Sequence, residues 1–184
     1  MQTLRAVIGI GWVVFWVYWL LMATRSSESV RGTGAFGRGM RVRGIAAIAA
    51  IVIFRVFRGN STEIHSVAVA GIGTALFACG LSICIWARLY LGTNWGMPTS
   101  QRVAPELITG GPYRFVRHPI YSGLLLALTG TVLATNLLGF IAVVIAVAYF
   151  YYAARIEEQN MTSAFPEAYP AYRERSKMLI PWIL

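Results

Sequence analysis

The sequence predicts an all-α integral membrane bundle of about five transmembrane helices, and three observations carry that prediction. Of 184 residues, 57% are hydrophobic and 12% charged, whereas a soluble domain carries about 25% charged residues. The charge is one-sided, with no Asp, a single Lys and a net +9. The apolar residues gather in charge-free runs near the ~20 residues a spanning helix needs. No connector is long enough to bury a core of its own, so residues 1–184 read as one membrane domain. In a soluble protein a charge of +9 would suggest nucleic acid. In a membrane protein basic loops report orientation and anionic lipid, and nucleic acid is discounted.

Residues 6–23 form the first run, and residues 44–57, shorter and with Arg55 and Arg58 near its end, form a second. Four aromatics in the second half of the first run and the lack of an A-x-A site argue for a retained span over a cleaved signal peptide. Between the two runs lies a connector with five arginines. Its Gly32-Thr33-Gly34-Ala35-Phe36-Gly37 matches G-x-G-x-x-G in form only, because that fingerprint works between a strand and a helix. Residues 66–91 form a third run in which Gly71, Gly73 and Gly80 would let helix backbones approach closely. Cys79 and Cys84 lie inside it as small core residues, at a spacing that makes neither a zinc site nor a redox pair. Residues 120–135 and 137–154 read as two further spans, joined tightly enough to run antiparallel and touch. The tail from Arg155 turns polar, then amphipathic, and its Trp182 suits an interfacial anchor.

Five spans put thirteen of the sixteen basic residues on one side of the membrane. The positive-inside rule then places the N-terminus outside, and the polar stretch Thr109–Gly123 and the C-terminal tail in the cytoplasm. That stretch holds two of the seven prolines and one of the two histidines. It enters the fourth span at the end where Glu157 and Glu158 leave the fifth, so the two should sit side by side. Two carboxylates at a membrane boundary call for water, a partner or a bound cation. Each residue also has a plain structural reading. Glu157 and Glu158 suit a solvated helix turn, His118-Pro119 caps a helix start, and Tyr113, Tyr121, Arg114 and Arg117 are ordinary interfacial side chains. Metal binding is not expected, because His65 falls on the other side and no cysteine is near.

Taken together, the spacing resembles the membrane methyltransferases typified by isoprenylcysteine carboxyl methyltransferase, with phospholipid N-methyltransferases as relatives. Leu91-Gly92-Thr93-Asn94-Trp95 is similar to the family's L-G-x-x-W element. Leu107 through Gly123 is similar to its L-V-T-x-G-x-Y…R-H-P-x-Y-x-G block, and Glu157-Glu158 with Met161, Phe165, Tyr169 and Tyr172 to its E-E tail. Ile180-Pro181 resembles its terminal I-P, while Pro166 stands where the family usually has Gly. The resemblance covers about the C-terminal half. It implies S-adenosylmethionine bound by segments 105–123 and 155–172, touching Glu106, Leu107, Ile108, Tyr113, His118, Pro119, Ile120, Tyr121, Glu157 and Glu158. It implies catalytic roles for Asn94 and Arg155, and a lipophilic acceptor: a prenylcysteine-like carboxylate, or a lipid amine or hydroxyl. The family's acceptor-binding Arg, one helical turn before the first Glu, is Ala153 here, and Arg155 lies two residues before the pair. Two alternatives stand beside this reading. One is an NADPH-dependent, sterol-type membrane reductase using Arg173, Arg175 and Lys177 on phosphate. The other is a non-catalytic scaffold.

Overall fold

A computed structural model describes residues 1–23, 63–92 and 106–183. These form five α-helices: α1 (Gln2–Ala23), α2 (Val67–Leu91), α3 (Pro119–Thr135), α4 (Phe140–Ala164) and α5 (Ala168–Arg175). Short 3-10 turns at Gly111–Arg114 and Leu137–Gly139 precede α3 and α4. The expected second span at 44–57 and the Gly32–Gly37 motif lie outside the described residues. Three helical segments, Gln2–Met22, Val67–Leu91 and Leu137–Ala164, are long and apolar enough to cross a membrane, and Pro119–Thr135 is a shorter apolar helix.

The centre of the bundle is the antiparallel pair α2–α3, held at a distance only glycine permits. A Cβ on Gly80 would lie 2.5 Å from the Ala127 nitrogen and the Gly123 oxygen. One on Gly130 would lie 2.4 Å from the Phe77 nitrogen and 2.5 Å from the Gly73 oxygen. Gly73 and Gly80 on α2 thus meet Gly130 and Gly123 on α3, backbone against backbone, as small residues do in membrane helix pairs. Gly71, expected to act with them, faces open space. Cys84 is buried at this seam and its thiol meets the Ile120 carbonyl at 3.4 Å, whereas Cys79 is exposed, contrary to a core role.

α1 lies on this pair along one stripe, Ile8, Trp12 and Phe15, spaced i, i+4, i+7 as a single helix face requires. Trp12 stacks near Phe77 at 5.5 Å, and its indole N–H donates to Thr131 Oγ1 at 3.1 Å. Val13, Val14, Val17 and Leu20 point outward, as they would toward lipid. At one end of the bundle Arg5 pairs with Glu63 at 2.9 Å, and Ile64 N–H bonds the Thr135 carbonyl. At the other end buried Arg88 donates to the carbonyls of Gly92 and Met22, tying α2 to the end of α1. α3 and α4 touch as their short connection requires, through Gly139 on Val132 near the turn and Tyr121 on Phe150 at the far end. The more extensive partner of α3, however, is α2.

Candidate functional site

The site grows from the segment leading into α3. Gly110 and Gly111 open a 3-10 turn, and Gly111 adopts φ 58° with the Tyr90 ring packed flat on it. A side chain there would meet both a strained backbone and the ring, so only glycine suits the position. The turn buries Pro112 and Tyr113 and delivers Val116, Arg117 and His118 to the start of α3. His118 occupies the cap position and Pro119 the first helical position, where its missing N–H costs nothing.

The C-terminal tail returns to this segment and pairs with it through backbone groups. Arg117 N–H bonds the Lys177 carbonyl at 2.7 Å, His118 N–H bonds Met178 at 3.1 Å, and Ser122 Oγ bonds Leu179 at 2.5 Å. Tyr172 on α5 donates its hydroxyl to the buried Tyr113 carbonyl at 2.6 Å. Entry segment and tail therefore form one layer across the end of the bundle.

Into that layer α4 projects its two carboxylates. Arg117 Nε meets Glu158 Oε1 at 2.6 Å with both side chains over nine-tenths buried. The Arg117 guanidinium also donates to the carbonyls of Arg173 and Ser176. Tyr121 donates its hydroxyl to Glu157 Oε1 at 2.5 Å. His118 lies between the carboxylates, Nδ1 3.4 Å from Glu157 and Nε2 3.6 Å from Glu158, and stacks on Tyr121 at 5.4 Å. Its Nε2 is buried and makes no hydrogen bond. Among the described residues no group of three His, Cys, Asp or Glu side chains is arranged to hold a metal.

The structure thus brings together His118, Pro119, Tyr121, Glu157 and Glu158, with Ile120 packed alongside and Tyr113 buried behind. It does not bring every expected residue to the carboxylates. Glu106 is exposed and Leu107 and Ile108 are half-buried in the irregular segment before the turn. Arg155 is exposed and opens on a separate pocket with Arg173 and Lys177. Asn94 lies outside the described residues. Arg117 was read only as an interfacial charge, and the scarcity of acids was the available signal: a buried Glu needs a cation, and Arg117 is the neighbour of His118.

Burial opposes a charge on His118, but the two carboxylates facing it, Glu157 and Glu158, outweigh it and raise the imidazole pKa above its ordinary value. A raised pKa contributes stability in full below about pH 6.5 and loses it as pH rises through the raised value. Thermal unfolding across that range should show stability falling on the alkaline side. His118→Gln should flatten that fall, and an unchanged slope would remove His118 as its cause.

The phospholipid methyltransferase family profile matches residues 69–168, from early in α2 into α5. The chain belongs to the phospholipid methyltransferase family. With its apolar helices it is a membrane protein of that family. The family match spans the glycine seam, the entry segment and both carboxylates. The chain is 38% identical over 79 residues to "Methanethiol S-methyltransferase 1" of Bradyrhizobium diazoefficiens, covering 42% of this chain and 27% of that protein. It is 38% identical over 72 residues to "Methanethiol S-methyltransferase" of Mycobacterium tuberculosis, covering 38% and 28%. A third relative, "Cobalt-zinc-cadmium resistance protein CzcN" of Cupriavidus metallidurans, is 35% identical over 99 residues, covering 53% and 42%. The matched part of the chain therefore spans less than half the length of each of these relatives.

Proposed function

We propose that the protein is an S-adenosylmethionine-dependent methyltransferase whose donor site is the His118, Tyr121, Glu157 and Glu158 cluster facing the cytoplasm. The observation that carries this reading is the pair of carboxylates flanking the His118 imidazole, Glu157 at Nδ1 and Glu158 at an Nε2 that is buried and without a hydrogen bond, in a chain of a methyltransferase family. That donor set suits the cofactor, whose sulfonium and ammonium call for carboxylates and whose ribose calls for hydrogen-bonding partners. Bound there, S-adenosylmethionine would supply an electrophilic methyl group. Glu157, partly exposed, would present negative charge, and the Tyr121 hydroxyl and His118 ring fix its orientation. Glu158, held by Arg117, keeps the second carboxylate in place. Alignment of the two reactants would supply the rate.

For the acceptor, a lipophilic molecule reaching the membrane face remains the reading, and the named relatives favour a small apolar thiol. Ala153 is buried where the resembled carboxyl methyltransferases place their acceptor-binding arginine, and a thiol needs no such cation. Asn94 keeps its implied catalytic role.

Calorimetric titration of the detergent-purified chain with S-adenosylhomocysteine tests the donor site, with NADPH as the control. Saturable binding of the former, lost at least tenfold in Glu157→Gln while the fold is kept, is expected. Binding of NADPH alone would move the protein to the reductases, and binding of neither would leave a scaffold. With the donor site established, dimethyl sulfide formed from methanethiol, against methyl ester formed from a prenylcysteine, selects the acceptor class.

A further inference from the structure

A second pocket lies beside the carboxylate cluster, between the polar end of α4 and the returning tail, and methyl transfer does not account for it. Arg117, Tyr151, Arg155, Arg173, Lys177 and Ile183 line it, and no acid does among the described residues. Arg117 is neutralised by Glu158 at 2.6 Å. Arg173 reaches the same carboxylate only at 3.9 Å, with 55% of its side chain exposed. Arg155 and Lys177 are exposed and have no side-chain partner among the described residues. Three cations drawn around one concavity repel one another, and a single bound anion would reverse that.

The surroundings say which anion. Of the pocket's own lining, Ile183 is 77% exposed and Tyr151 42%, and Trp182, the residue before Ile183, is 85% exposed. Exposed aromatic and aliphatic side chains beside cations mark the headgroup level of a bilayer. A free phosphate would satisfy the cations and leave Trp182 and Ile183 in water. A phosphate carried on acyl chains satisfies both halves.

We propose that this pocket seats the phosphate of an anionic membrane lipid, with Arg155, Arg173 and Lys177 on the headgroup and Ile183 and Trp182 on the first acyl carbons. Arg155 belongs to α4, and Arg173 and Lys177 belong to α5 and the tail. One lipid therefore clips the tail against α4, directly over the Arg117–Glu158 pair. Arg155 is assigned to this headgroup and not to the methyl acceptor. The proposal does not depend on which donor or acceptor the neighbouring site uses.

Native mass spectrometry of the full chain in detergent tests it, with dioleoylphosphatidylglycerol and dioleoylphosphatidylcholine as competing probes and inorganic phosphate as a third. Phosphatidylglycerol should be retained in preference to phosphatidylcholine, and the preference should fall as salt is raised. Arg155→Gln and Lys177→Gln should each reduce it about fivefold, the effect of removing one surface cation from an anionic lipid. Arg155→Lys combined with Lys177→Arg should keep it, as should Arg114→Gln, which lies outside this pocket. Equal retention of the two lipids, an undiminished preference in the Gln variants, or displacement of the lipid by millimolar phosphate would overturn the proposal.

Discussion

Gly130→Val is expected to destabilise the bundle by at least the upper part of the ~1–3 kcal/mol that overpacking commonly costs, and it should be the most damaging single change in the apolar part of the chain. The reason is what the new atoms would meet. The Cβ alone would lie 2.4 Å from the Phe77 nitrogen and 2.5 Å from the Gly73 oxygen. These are backbone atoms of a facing helix, and no rotamer change moves them. The helices must part, and the contacts of Gly80 with Gly123 part with them. Gly71→Ala is the matched control, since nothing lies within 4 Å of that position. Thermal unfolding in detergent should show a large drop for Gly130→Val and none for Gly71→Ala. Equal melting temperatures would mean that the seam is not under the constraint described.

Arg117→Met should cost about 3–5 kcal/mol, the usual penalty for leaving one partner of a buried ion pair behind. It would strand the Glu158 carboxylate, which is over nine-tenths buried, and release the Arg173 and Ser176 carbonyls. The tail should then come away from the entry segment, exposing sites after Ser176 to limited proteolysis. Arg117→Met combined with Glu158→Leu should recover much of the stability, because removing both charges leaves no buried charge stranded. A double variant as unstable as the single one would show that the carbonyl contacts, not the ion pair, hold the tail.

The helical core was legible because charge-free runs report apolar thickness directly. α2 was expected at 66–91 and spans Val67–Leu91, and α3 was expected from 120 and begins at Pro119. α4 was expected to end at 154 and continues to Ala164. An apolar run measures where lipid ends, while a helix continues into water wherever its hydrogen bonds do. The roles of Gly73 and Gly80 could be read from spacing, but the exposed Gly71 could not be separated from them, because sequence does not show which helix face meets a partner. The meeting of His118 and Tyr121 with the glutamates followed from the order of the spans. In the tail's pairing with Arg117, His118, Ser122 and Tyr113 every acceptor is a backbone carbonyl, which every residue carries alike, so no side-chain pattern announces it.

The glycine seam also divides the molecule mechanically. α2 and α3 touch through their main chains, so their separation cannot be tuned by side-chain rearrangement, and together they act as a fixed jaw. α4 meets α3 at Val132 and at Tyr121 and the entry segment through Arg117–Glu158, and the tail is fastened by a handful of hydrogen bonds. An opening of the carboxylate cluster is therefore expected as a swing of α4 and the tail as the moving jaw, with Tyr121 and the Arg117–Glu158 pair as the catches it must release.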